Sequence, residues 1–228
     1  MKIGIIGPCE MEIKPFIDNL HNVKTEKHAM LSFHIGKYSD IDIVALFCGV
    51  CKVNAAIAAQ ILIDRFSVTH IIVTGVAGAI DKTLNICDTV IAVESAYHDV
   101  DSEILTGYHP WLENIYFKTD NNMLNEMRKA IDGDNSVTFG RIVTGESFIV
   151  QNGREEIIEK FNPLCVDMET AGIAHVCHVN AIPFIAIRTI SDTPNESGSE
   201  AFEKNCDSAA KKSVDVLKRY LETIQKTK

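Results

Sequence analysis

No apolar run in this chain approaches the roughly 20 residues that a membrane-spanning helix needs. Positive charge is also scarce: 22 lysines and arginines face 31 aspartates and glutamates, a formal charge of -9. Such a surplus repels a nucleic-acid backbone and an anionic membrane surface, so neither is an expected partner. Stretches rich in Pro, Gly and Ser are missing, as are low-complexity tracts and internal repeats. Without a linker, one domain over residues 1–228 is the natural division. A β-type run at 2–7 follows Met1 directly, so no signal peptide is expected before the fold. The seven cysteines are an odd count. Most sit in apolar runs, where a free thiol packs as a small hydrophobe, and with no export signal the expected setting is the reduced cytoplasm.

Several chemical signatures are absent too. Cys48-Gly-Val-Cys51 lacks the second ligand pair of a zinc site. It also follows the third predicted strand, whereas a thioredoxin-like pair opens a helix after the first. His175 and His178 are spaced to share a helix face, but no third ligand accompanies them, and they read as core or surface histidines. The strained Gly-x-Ser-x-Gly turn of a serine nucleophile does not occur. Neither a metal nor a cofactor is expected.

What is present is a 46% hydrophobic chain with ample material for a core. Strand patterns fall at 2–7, 31–35, 42–47, 70–74, 89–94, 137–143, 164–166 and 183–187. Helical patterns fall at 10–20, 52–66, 121–131, 154–161, between 167 and 182, and at 199–224, the last with Lys and Arg toward its end as the helix dipole favours. Residues 101–118 carry no clear period and read as a loop. Strands and helices alternate, yet some strands follow each other directly. The expected architecture is α/β, a central mixed sheet with helices on both faces.

The densest information lies at 165–192. Two buried-type strands there end on carboxylates, Asp167 and Glu169 after one and Asp192 after the other, with Arg188 and Ser191 nearby. In α/β sheets ligands bind beyond the carboxyl ends of strands, where unpaired charges are costly. Glu10 and Glu12 follow the first strand in the same way. They make a poor dinucleotide site of Gly4-Ile-Ile-Gly7, since a pyrophosphate at that helix start would meet two acids. A carboxylate there is favoured by the helix dipole, stays ionised, and can polarise a water. Glu10 alone reads as a surface helix cap. Thr74-Gly75-Val76-Ala77-Gly78-Ala79 reads as a tight turn of small residues that also permits close approach of a ligand. Phe148, in Gly145-Glu146-Ser147-Phe148-Ile149, is equally a core ring or one stacking on a flat ligand. Converging acids without metal histidines point to acid–base work on a sugar or a base.

Together these motifs, in this order and spacing, resemble the 5′-methylthioadenosine/S-adenosylhomocysteine nucleosidases of the purine nucleoside phosphorylase-like group. The likeness spans nearly the whole chain and also includes Tyr97-His98-Asp99-Val100-Asp101. It implies a homodimer that hydrolyses the bond between adenine N9 and ribose C1′ through an oxocarbenium-like transition state. By the same resemblance, Asp192 protonates adenine N7 and Ser191 orients it. Glu12 activates the water with Arg188 nearby, and Glu169 holds the ribose hydroxyls, with Asp167 as a supporting acid. Met168 packs on the sugar, Phe148 stacks on adenine, the Ile149 backbone reads its edge, and Phe202 closes the pocket. Val76, Ala77 and Gly78 complete the lining. Valine at 76 with Glu10 and Glu12 in the first turn indicates water rather than phosphate as nucleophile, and Asp at 192 indicates a 6-aminopurine.

The sequence departs from the family at Asp167, where Glu is more usual, at Cys9, often Met, and across 102–117. In the family that last segment lines the partner's 5′ pocket, which leaves methylthio, homocysteinyl, 5′-deoxy and aminofutalosine-type tails open. Alternatives to the nucleosidase are a phosphorylase of the same group, a nucleoside-binding protein without activity and, more distantly, a nicotinamide enzyme.

Overall fold

The computed structural model describes residues 1–108, 112–149, 153–196 and 199–226. In chain order the elements are β1 (Lys2–Gly7), α1 (Glu10–Ile17), β2 (His21–His28), β3 (Leu31–Tyr38), β4 (Ile41–Phe47), α2 (Lys52–Phe66), β5 (His70–Ala79) and β6 (Thr89–Tyr97). There follow α3 (Ser102–Gly107), β7 (Phe117–Lys118), α4 (Asn121–Ala130), β8 (Val137–Thr144), α5 (Arg154–Phe161), β9 (Cys165–Asp167), α6 (Thr170–Val179), β10 (Phe184–Asp192) and α7 (Ser199–Lys226).

The sheet is mixed, and its organising strand is β5. Along 70–73 it pairs in parallel with β1, and on its other edge it runs parallel to β10 from Ile71 to Gly78. Beyond β1, at Gly78 and Ala79, it takes β9 as an antiparallel neighbour. β9 continues to β8, β8 to β6 and β6 back to β10, which closes a ring of five strands. β4, β3 and β2 extend from β1 as an open arm, and β7 pairs with β6. A gap therefore opens between the carboxyl ends of β1 and β9, the kind of switch point at which α/β proteins bind ligands.

Alternation along the buried strands divides the core between two helix layers. Ile3, Ile5, Ile72, Ile185 and Ile187 pack with Phe16 of α1, Met127 of α4 and Leu217 of α7. Ile6, Ile71, Val73 and Ala186 pack with Ala58 and Leu62 of α2 and Ile173 of α6. Helices thus cover both faces, as the sequence pattern predicts.

Several boundaries differ from the sequence reading. β2 carries no apolar alternation: it is an almost wholly exposed strand, held by main-chain pairing to β3, so periodicity does not reveal it. With β2 counted, the Cys48/Cys51 pair follows the fourth strand. The segment read as a tight turn at Thr74–Ala79 is strand, because β10 and then β9 keep its backbone paired. β10 likewise runs on to Asp192, so Arg188, Ser191 and Asp192 are strand residues. The loop assigned to 101–118 contains α3, whose start is capped by Asp101 accepting from the amides of Glu103 and Ile104, and also β7. Pro110 and Trp111 of that segment lie outside the described residues.

Candidate active site

A cavity of about 300 Å³ occupies the gap at the strand ends. Pro8, Cys9, Met11 and Glu12 enter it from the β1–α1 turn, and Val76, Ala77 and Gly78 from β5. Ser147, Phe148 and Ile149 follow β8, Val166 to Glu169 lead from β9 into α6, and Ser191 and Asp192 end β10. Val50 and Phe202 complete the wall. Of the residues to which the family resemblance assigns a site role, only Arg188 is not in the lining. Pro8, Met11, Val50 and Val166, to which the sequence assigns no site role, also line the cavity, and Cys9 and Ser147 figure in the sequence only as a departure from the family and as part of a motif.

Glu12 is 3% exposed. Its Oε2 accepts from the Val76 amide at 2.7 Å and its Oε1 from the Cys9 thiol at 3.1 Å. Burial raises its proton affinity, against the pull of the Arg188 charge and these two donors. Desolvation thus works against the helix dipole, which favours the ionised form at this position. Burial and the adjacent carboxylate push the Cys9 thiol up to about 12, so it remains a protonated donor. Glu10, by contrast, is exposed.

Arg188 lies fully buried behind this wall. Its Nε is 2.8 Å from Asp167 Oδ2 and its Nη2 3.2 Å from Glu169 Oε2. Burial opposes its charge, but Asp167, Glu169 and Glu12 outweigh that and hold the guanidinium above its usual range. Its Nη1 has no hydrogen-bond partner and lies beside Gly75, where a Cβ would collide with both that atom and the Glu12 carboxylate. Asp167 is saturated. It accepts from Thr144 Oγ1 at 2.6 Å, from the Thr170 hydroxyl, and from the amides of Glu169 and Thr170. It supports Arg188 and has little capacity left for a ligand.

Glu169 takes its second donor from the amide of Cys51, at 2.9 Å. Cys51 has φ 83° and ψ 161°, a conformation otherwise almost confined to glycine and costing about 1–3 kcal/mol. This backbone turn aims the start of α2 at the site, and the next amide, of Lys52, binds Glu146 at 3.1 Å. Burial raises the Glu169 carboxyl to about 7, against the Arg188 charge.

At the other end, Asp192 Oδ1 accepts from Ser191 Oγ at 3.0 Å. A Cβ on Gly78 would stand 2.8 Å from Asp192 Oδ2, so a side chain there would displace this carboxyl. Burial raises its proton affinity, while Ser191 and the charge of Arg154 act against that. Phe148 is 52% exposed and meets the ring of Phe202 edge-on at 5.8 Å. It is therefore not a core ring but part of the rim. His175 stacks on Phe117 at 4.8 Å, and His178 packs against the same ring.

The sequence profile of the Phosphorylase superfamily matches residues 2–222. The chain belongs to that superfamily. Within it, the chain is 34% identical over 231 residues to a 5′-methylthioadenosine/S-adenosylhomocysteine nucleosidase of Bacillus velezensis, covering 98% of this chain and all of that one. The solved nucleosidase of the same description from S. pneumoniae, bound to the transition-state inhibitor MT-ImmA, superposes with a TM-score of 0.90 at 30% identity, over 98% and 100% of the two chains. The futalosine hydrolase of Helicobacter pylori gives 0.89 at 26% identity, over 97% of each. The family resemblance carried by the motifs thus extends through the whole phosphorylase-superfamily fold.

Proposed function

We propose that this protein is an N-glycosyl hydrolase that releases adenine from 5′-substituted adenosines, 5′-methylthioadenosine and S-adenosylhomocysteine foremost. The observation that carries the reading is that Glu12 and Asp192 both stand against β5 in one cavity, with Glu169 in the same lining. Asp192, whose proton affinity burial raises, gives its proton to N7 of the base, so that adenine leaves neutral as the C1′–N9 bond breaks. Glu169 accepts from the ribose hydroxyls and offsets the positive charge that grows on the ring. Water held by Glu12, with the Arg188 charge buried behind that carboxylate, adds to C1′ and gives its proton to Glu12. Phe148 covers the base, and the main chain of Ile149 meets its edge.

The wall favours water over phosphate. The described lining contains four acidic side chains, Glu12, Asp167, Glu169 and Asp192, and no cationic one, so a phosphate dianion would find no countercharge there. Its apolar part, with Met11, Val50 and Phe202, suits a thioether tail. Adenine release from a panel of 5′-modified adenosines and inosine, with and without phosphate, tests the reading. Free base and free sugar are expected in phosphate-free buffer. An absolute need for phosphate, or tight binding with no release at high protein concentration, would reject it.

A homodimer and a cytoplasmic location belong to the same proposal. Val50, Val53 and Ile57 at and along the start of α2 are 45%, 66% and 45% exposed, an apolar face suited to a second copy. Among the described residues no helix is long and apolar enough to cross a membrane. Light scattering should give twice the chain mass; a monomer at micromolar concentration would exclude the pairing.

A further inference from the structure

Arg154 opens α5 and has no place in the chemistry described so far. It is only 8% exposed. Its Nη1 donates to the carbonyl of Ala79 at 2.8 Å, and its Nη2 reaches the carbonyl of Ile149 at 3.5 Å. Its Nε is buried without a partner, and no carboxylate forms an ion pair with it among the described residues. A buried unpaired cation is expensive, and the first turn of a helix is the wrong end of the dipole for it. Two carbonyls compensate only in part. The carboxylate within its electrostatic range is Asp192, which sits against Gly78, the neighbour of Ala79.

We propose that Arg154 is a positioning residue of the base end of this site: it ties the loop bearing Phe148 and Ile149 to the end of β5, and it supplies the positive charge that the Asp192 carboxylate faces once its proton has gone to the base. The inference rests on the reading of Asp192 as the acid. In the step concerned, the electron pair of the C1′–N9 bond goes to the purine, the Asp192 proton goes to N7, and Asp192 is left as an anion. Of the other charged groups near it, Glu12, Asp167 and Glu169 share the cavity and the Cys165 thiol lies on β9. All of these are neutral or negative. Arg188, on the same strand, is paired with Asp167 and Glu169, so Arg154 is the cation that acts on Asp192. From α7, Asn205 contributes a neutral contact, donating to the Ser191 carbonyl at 3.1 Å.

The test is the pH profile of kcat/KM for adenine release by wild type, Arg154→Met and Arg154→Lys. Activity needs Asp192 protonated, so it falls at high pH as that proton is lost. Removing the cation makes the proton harder to lose. In Arg154→Met the alkaline limb should therefore move upward by about one pH unit, with KM raised roughly 10-fold as the base loop loosens. Arg154→Lys keeps the charge but not the fork, so its limb stays at the wild-type position while KM rises. An unmoved limb in Arg154→Met, or one displaced in Arg154→Lys, overturns the proposal. If Arg154→Met does not fold, Arg154→Gln replaces it in the same comparison. Asp192→Asn separates the two readings: near-normal turnover there rejects Asp192 as the acid, whereas an inactive Asp192→Asn with an unshifted Arg154→Met rejects the role of Arg154 alone.

Discussion

Asp192→Asn and Glu12→Gln should each slow adenine release by at least about 100-fold, the scale on which a positioned acid or base acts. The two losses differ in kind. Asparagine at 192 keeps the shape of the side chain and can still donate a hydrogen bond to N7, but it cannot hand over a proton, so the base must leave as an anion. Glutamine at 12 still accepts from Val76 through its amide oxygen, yet it cannot take a proton from water. The wild-type profile of kcat/KM should be bell-shaped, rising as Glu12 ionises and falling as Asp192 does. Glu12→Gln removes the rising limb and Asp192→Asn the falling one. Turnover within a few-fold of wild type in either variant would dismiss the corresponding assignment.

Arg188→Met should destabilise the protein by about 3–5 kcal/mol, the usual result of removing one member of a buried charge cluster. Asp167 and Glu169 then share a dry site without a cation. The deficit depends on pH, and its sign follows from Glu169. Its folded-state proton affinity is already raised by burial, to about 7, and loss of Arg188 raises it further. A folded protein that holds a proton the unfolded chain has lost becomes less stable as pH rises through the folded-state value. Urea unfolding should therefore show a larger gap between variant and wild type at pH 8 than at pH 5. A gap under about 1 kcal/mol at both pH values would mean that Arg188 contributes little to the buried network.

Much of this site is legible in the sequence because its acids stand directly after β-branched runs, at positions where a solvated surface is implausible. Asp167, Glu169 and Asp192 are visible on that ground, and Glu12 through its place after β1. The local pattern is silent on pairing. Nothing in the spacing of Cys51 and Glu169, far apart in the chain, shows that one amide binds the other carboxylate. Arg188 reads as a neighbour of the reacting water, but it stands behind the lining and touches the cavity only through Asp167 and Glu169. Arg154 carries no sequence signal, since a basic residue at the start of an ordinary amphipathic helix is normally solvated. The fold follows the same division. Strands buried on both faces are evident from composition, whereas β2 and α3 depend on main-chain pairing and a cap that hydrophobic periodicity does not register.

The strand β5 also has a stereochemical consequence. The amide that holds Glu12 belongs to Val76, and the residue that makes room for Asp192 is Gly78. Two steps along a strand span about 7 Å, so β5 offers the two carboxyls anchor points about that far apart. Glycosidases that displace the leaving group directly with water keep their carboxyls roughly 6.5–9.5 Å apart, whereas those that first form a covalent sugar–enzyme bond hold them at about 5–5.5 Å. If β5 spaces the proposed base and acid in the wider range, water is expected on the face of the sugar opposite the departing purine, so that a β-nucleoside yields the α-anomer; proton magnetic resonance on product sampled before mutarotation reads this directly, and the β-anomer would overturn it.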